Sequence, residues 1–119
     1  MARHNDFGRW GEDLAVDFLR RHGFEILARN WRAGRAEVDI LARDGDVLVA
    51  VEVKTRGTDA FGRPEIFVGR RKIRMLTEAV NAYAEQTGWE GDIRFDIVAI
   101  VRQGGQTRIE HIPDAFYWF

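Results

Sequence analysis

The sequence contains no cysteine. Disulfides and thiolate metal sites are therefore excluded, and the absence agrees with a reducing compartment. Lysine is almost as scarce: sixteen arginines accompany two lysines, Lys54 and Lys72. Long apolar runs are missing too. The longest aliphatic stretches are VLVAV and IVAIV, far short of the roughly 20 residues that cross a bilayer. The N-terminal MARHNDFGRW is charged and lacks the apolar segment of a secretory signal. The expectation is a soluble, cytoplasmic protein with no membrane partner. An excess of either charge is also lacking. At a net charge of −1 the chain as a whole does not look like a nucleic-acid binder, so any such role must come from local charge.

What is present suits one domain over residues 1–119, long enough to hide roughly two thirds of its unfolded surface without staples. FGRWGEDLAVDFLRRHG reads as a helix. Phe7, Trp10, Leu14 and Phe18 fall on one stripe flanked by Ala15 and Leu19, Gly23 is placed to close it, and Glu12 lies at the stripe's edge. FEILARNWR, AEVDILAR and VLVAVEVK read as strands, the last two joined at Asp44-Gly45. RGTDAFGRPE reads as a loop. A second helix follows in GRRKIRMLTEAVNAYAEQTG, apolar along Ile73, Leu76, Val80 and Tyr83 and stopped at Gly88. DIRFDIVAIVR and a short strand around TRIEHI complete a mixed sheet flanked by helices.

In VLVAVEVK, Glu52 and Lys54 interrupt the most β-prone segment of the chain. Side chains alternate along a strand, so Val47, Val49, Val51 and Val53 share one face and Leu48, Ala50, Glu52 and Lys54 the other. Glu52 and Lys54 are then about 7 Å apart. A two-residue turn at Asp44-Gly45 pairs Arg43 with Asp46 and sets Asp39 opposite Ala50, on the face of Glu52 and within about 8 Å of it. Two acids and an ammonium on a mostly covered face are costly unless something uses them. A hard divalent cation does so. Mg²⁺ takes oxygen ligands at about 2.1 Å. With no cysteine, and histidine confined to His4, His22 and His111, the oxygen-only ligand set favours Mg²⁺ or Mn²⁺ over Zn²⁺. Such an ion beside a lysine suits phosphodiester hydrolysis, the lysine acting as a point charge on the water or the transition state. Lys54 is not read as a resting general base, because neighbouring acids favour its charged form.

Glu-x-Lys alone is weak, since about 0.15 occurrences arise by chance in this composition. The bland reading is an exposed ion pair. Asp39 in register and the flanking segments argue against it. GRWGEDLA, AEVDILARDG, VEVKTR, FGRPE, the Lys72 region and RFDIVAI together resemble the YraN-type family of small bacterial proteins, within the restriction-endonuclease-like nuclease fold. The resemblance spans about residues 8 to 101 and departs from the family pattern at Ala36, where Gly is usual. It implies an αβββαβ core, Asp39 and Glu52 as metal ligands, Lys54 as the catalytic cation and Glu12 as an accessory acid. It also makes branched DNA a candidate substrate, through similarity to archaeal-type Holliday junction resolvases. The backbone carbonyl of Val53 completes the expected metal set.

Other residues carry two readings each. Glu12 is an accessory acid or a solvated helix residue. Glu37, opposite Glu52 in the register above, is better read as a salt-bridge partner than as a third acid. Arg56 is a phosphate contact or a surface ion pair. Arg70, Arg71, Lys72 and Arg74 at the start of the second helix are a phosphate-binding cluster or a solvated face. Trp10, Phe18, Phe24 and Phe95 read as core; Trp31, Trp89 and the terminal FYWF read as core or homodimer contacts rather than base-stacking platforms. The alternatives to a nuclease are a non-cutting nucleic-acid-binding module of the same fold and a dimerising scaffold.

Overall fold

The computed structural model describes residues 6–57 and 68–116. The expected loop from residue 58 onward, the FGRPE segment, His4 and the last three residues of FYWF lie outside them. Helix α1 (Asp6–Arg21) leads into a meander of β1 (Glu25–Ala33), β2 (Ala36–Asp44) and β3 (Val47–Arg56). Helix α2 (Arg70–Thr87), β4 (Asp92–Gln103) and β5 (Gln106–Ile112) follow. The five strands lie in sequence order in one sheet. All neighbours are antiparallel except β3 and β4, whose parallel pairing requires the crossover that α2 supplies. This is the expected αβββαβ order, in the α/β class, with β5 as an added edge.

The helices take opposite faces of the sheet. Ala15, Val16 and Leu19 of α1 pack on Val49, Val51, Val98 and Ile100. Leu76, Ala79 and Val80 of α2 pack on Leu48, Ala50 and Phe95. The central strands β3 and β4 are therefore covered on both sides, which is why they read as continuous apolar runs. In β3 that cover persists through Glu52 and thins from Val53 onward.

The inward stripe of α1 differs from the expected one. Its buried residues are Gly11, Glu12, Ala15, Val16 and Leu19, while Trp10, Leu14 and Phe18 are half-buried flanks. Phe7 stacks on Trp10, their ring centroids 5.4 Å apart. Small residues win the centre because the helix runs close to the sheet. A Cβ on Gly11 would collide with the Thr55 side chain. Trp31 meets Tyr83 edge-to-face at 5.5 Å and packs with Trp89 in the α2 core. Phe116 stacks on Phe95 at 5.2 Å. All three belong to the core.

One buried charge was not anticipated. Asp96 on β4 is fully buried. Its carboxylate accepts from Arg94 Nε and an Arg94 terminal nitrogen, meets His111 Nε2 at 2.8 Å, and accepts from the Asp114 N–H. Burial raises its pKa, but the bonds from His111, Arg94 and Asp114 outweigh burial and hold it below the ordinary value. A carboxyl shifted down in the fold stabilises it above the unfolded value of 3.8, and that contribution is lost as pH falls through the folded value. Asp96→Asn should therefore lower stability by about 3 kcal/mol at neutral pH, measured by urea unfolding, with the difference from wild type shrinking toward strong acid.

Candidate metal centre

The β2–β3 hairpin turns on Gly45 and Asp46. Asp44 pairs with Val47, Arg43 with Leu48 and Ile40 with Val51. This corrects the expected register, in which Arg43 met Asp46. Gly45 takes the positive φ of 61° while Asp46 does not, so glycine holds the first central position of a II′-type turn, not the second of a I′ turn. Ala50 meets Leu41 and not Asp39, and neither Asp39 nor Glu37 lies within the paired part of β2 and β3. Both registers join the strands by a two-residue loop, so over the paired residues which of them share a face is the same.

The paired ladder stops at Ile40 and Val51. At the next step the Val53 N–H donates to Asp39 Oδ2 at 2.8 Å. A side chain thus stands in for the partner strand's carbonyl. Alternation in β2 breaks at the same residue: Val38 and Leu41 pack in the α2 core, Ile40 and Ala42 in the α1 core. Across from Asp39 in β1, Asn30 has φ 51°, a conformation asparagine tolerates better than most residues. Irregularities gathered at one point in two strands are where sites are commonly built.

Glu52 is buried, its side chain 7% exposed, and its Oε1 has no hydrogen-bond partner among the described residues. Its Oε2 is 3.8 Å from Lys54 Nζ and 3.7 Å from Lys72 Nζ. Burial, then the adjacent Asp39 within hydrogen-bond reach, raise its pKa to about 7 against the pull of the two lysines. Burial likewise raises Asp39, with Glu12 and Glu37 adding to it, opposed by the Val53 N–H and Lys72. The neighbouring Asp39 thus makes Glu52 harder to ionise.

The other expected site residues distribute as follows. Glu12 lines a cavity of about 510 Å³ with Arg9, Asn30, Arg32, Glu37, Asp39, Val53 and Thr55. It is buried, not a solvated helix residue, and its Oε1 accepts from Arg29 Nε, an Arg29 terminal nitrogen and Asn30 Nδ2. Arg29 and Asn30 were not anticipated, because a strand's Arg-Asn pair carries no motif of its own. Glu37 pairs with Arg32 at 3.5 Å, as a salt-bridge partner. Arg70, Arg71 and Arg74 are exposed at the start of α2. Arg56 is exposed and donates to the Thr55 carbonyl. Lys72 is the departure: it reaches Glu52 instead of standing with the solvated arginines.

Among the described residues, no three acidic, histidine or cysteine side chains converge as a ready-made ligand cluster. The pair present nonetheless fits a hard divalent ion. Mg²⁺ is commonly held by one or two carboxylates and keeps several waters. Here two adjoining carboxylates include a buried oxygen with nothing to bind.

The sequence profile described as "Uncharacterised protein family UPF0102" matches residues 11–100. The chain belongs to this family. A UPF0102 protein of Christiangramia forsetii is 50% identical over 119 residues, the whole of both chains. Another, from Bacteroides thetaiotaomicron, is 44% identical over 117 residues, 98% of this chain and 97% of that one. Among solved structures, Archaeoglobus fulgidus Hjc, a Holliday junction resolvase from an archaeal hyperthermophile, aligns with a TM-score of 0.47 and 21% identity. The alignment covers 88% of this chain and 73% of that one. No described helix of this UPF0102 protein is long and apolar enough to cross a membrane.

A carboxyl raised in the fold costs stability as pH rises from its unfolded value of 4.5 through about 7, because the unfolded chain ionises first. In metal-free buffer containing EDTA, Glu52→Gln should therefore raise the melting temperature by a few degrees above pH 7. The gain should disappear below pH 4.5. Differential scanning calorimetry across that range checks it.

Proposed function

We propose that this UPF0102 protein is a Mg²⁺- or Mn²⁺-dependent nuclease that hydrolyses DNA phosphodiesters, carried by one domain over residues 1–119. The observation that supports it most is the buried, unpartnered Oε1 of Glu52 beside Asp39. An apolar substitute would fill that space at less cost, so a carboxylate kept there needs a use. Asp39, Glu52 and the backbone carbonyl of Val53 would hold the ion. Bound there, it would supply an acidified water and neutralise charge on the phosphate.

The chain's own groups do the rest. Lys54, half-buried and tethered to Glu52, would present its ammonium to the attacked phosphate as a point charge. Asp39, fixed by the Val53 N–H, cannot swing away when charge builds beside it. Glu12 faces the same cavity as Asp39; with Oε1 committed to Arg29 and Asn30, its other oxygen would serve as the accessory acid. Arg56, Arg70, Arg71 and Arg74 would meet the phosphates of the strand on either side. Branched DNA is the substrate form the family resemblance favours.

One observation favours a second reading. Two lysines already lie on Glu52, and cations that satisfy an acid without a metal suit a module that grips nucleic acid and does not cut.

The readings separate on two measurements. A crystal soaked in Mn²⁺ should show anomalous signal between Asp39 and Glu52, and Glu52→Gln should abolish it. Lys54→Ala should keep the metal and bind DNA within about twofold of wild type, yet cut at least a hundredfold more slowly, about the effect of removing one transition-state contact. Cutting by Lys54→Ala at the wild-type rate overturns the mechanism. Salt-dependent binding without product on duplex, flap and junction DNA, with metal bound, selects the non-cutting module.

A further inference from the structure

Lys72 occupies the third position of α2, after the N-cap Gly69, which makes no side-chain capping bond. The first turn holds no acidic residue; it holds Arg70, Arg71 and Lys72. Cations there oppose the helix dipole, whose N-terminal end is positive. The offsetting anion comes from another element: Glu52 of β3, 3.7 Å from Lys72 Nζ. That contact is an ion pair, too long for a hydrogen bond. The Lys72 side chain is 45% exposed while Glu52 is 7% exposed, so the lysine can leave and the glutamate cannot. Beside Lys72 opens a second cavity of about 440 Å³, lined by Arg35, Glu37, Gly69, Arg71, Lys72 and Met75.

We propose that Lys72 is a positioning residue that exchanges between Glu52 and a phosphate group of the nucleic-acid strand, and so couples loading of the metal site to capture of the strand. The proposal rests on the metal-site reading above. Without a metal, Lys72 lies on Glu52 and its charge is spent there. With a divalent cation on Glu52, that carboxylate's charge would already be balanced and the Lys72 ammonium would be repelled across a short distance. Lys72 then turns to the cavity, alongside Arg35 and Arg71, where the N-terminal end of α2 also favours an anion. Each ligand strengthens the other, because coupling between two binding events is reciprocal. Lysine suits the exchange better than arginine, being a compact charge on a flexible stem without a rigid bidentate fork. That accounts for one of only two lysines standing among sixteen arginines.

The test measures binding alone. Mn²⁺ is titrated into wild type, Lys72→Gln and Arg71→Gln by isothermal titration calorimetry without DNA. Labelled duplex and four-way-junction DNA are then titrated by fluorescence anisotropy, in EDTA and in Ca²⁺, a hard cation that also takes oxygen ligands. Removing Lys72 should tighten Mn²⁺ binding at least about threefold, because its competitor on Glu52 is gone. In wild type, Ca²⁺ should strengthen DNA binding about fivefold or more; Lys72→Gln should lose most of that gain. Arg71→Gln should weaken DNA binding about equally in EDTA and Ca²⁺, as an uncoupled phosphate contact does. Lys72→Arg, which keeps the charge but not the compact head group, should restore part of the gain from Ca²⁺ and not all of it. Unchanged Mn²⁺ affinity in Lys72→Gln, or an undiminished gain from Ca²⁺, overturns the role of Lys72. Wild type that binds Mn²⁺ while Lys72→Gln behaves like it rejects this inference and leaves the metal site standing. Wild type that binds no Mn²⁺ rejects both.

Discussion

The Val53 N–H donates to the Asp39 carboxylate, and the candidate site depends on that bond. Where the β2–β3 ladder stops, the backbone must find other partners or pay for their loss. Asp39 provides one from its side chain, so the strands part without leaving the Val53 donor unsatisfied. The break in β2 alternation and the left-handed Asn30 across from Asp39 accompany the same event. Asn30 then holds Glu12 from below α1. One hydrogen bond thus sets where the sheet opens, where the acids meet and how the first helix is tied down.

Two kinds of buried carboxylate occur in this protein, and the contrast separates structural from chemical use. Asp96 is surrounded by donors on both oxygens and is held in its charged form. It joins β4, β5 and the turn at Asp114. Burial raises both Asp39 and Glu52, Asp39 raises Glu52 further, and one Glu52 oxygen has no hydrogen-bond partner among the described residues. A buried acid with every lone pair in use needs no ligand. A buried pair short of donors carries a standing cost to the fold. The two lysines reduce that cost from opposite directions, Lys54 along the strand and Lys72 from the helix above.

The spacing of small residues matters as much as the charges. Gly11 lets α1 lie against Thr55, and that approach delivers Glu12 to the cavity of Asp39. The bulky Trp10, Leu14 and Phe18 are displaced to the flanks for the same reason. An apolar stripe drawn from hydrophobic size alone therefore points slightly away from the true packing direction.

The sequence by itself determined the seven elements and their order, because hydrophobic period and glycine stops are local properties. It determined that Glu52 and Lys54 share a face with Leu48 and Ala50, since parity along a strand survives a shift of register by a whole pair. It also determined that any ligands at that place are oxygens, cysteine being absent. Only the tertiary structure decided that the turn falls on Gly45 and Asp46, with the positive φ at Gly45, and that Asp39 takes the Val53 N–H. It alone brought Lys72 from α2 onto Glu52, buried Glu12 under Arg29 and Asn30, and enclosed Asp96 within Arg94 and His111. Apart from the Arg94–Asp96 pair, those contacts join residues far apart in the chain. They follow from how helices seat on a twisted sheet, which no local pattern encodes.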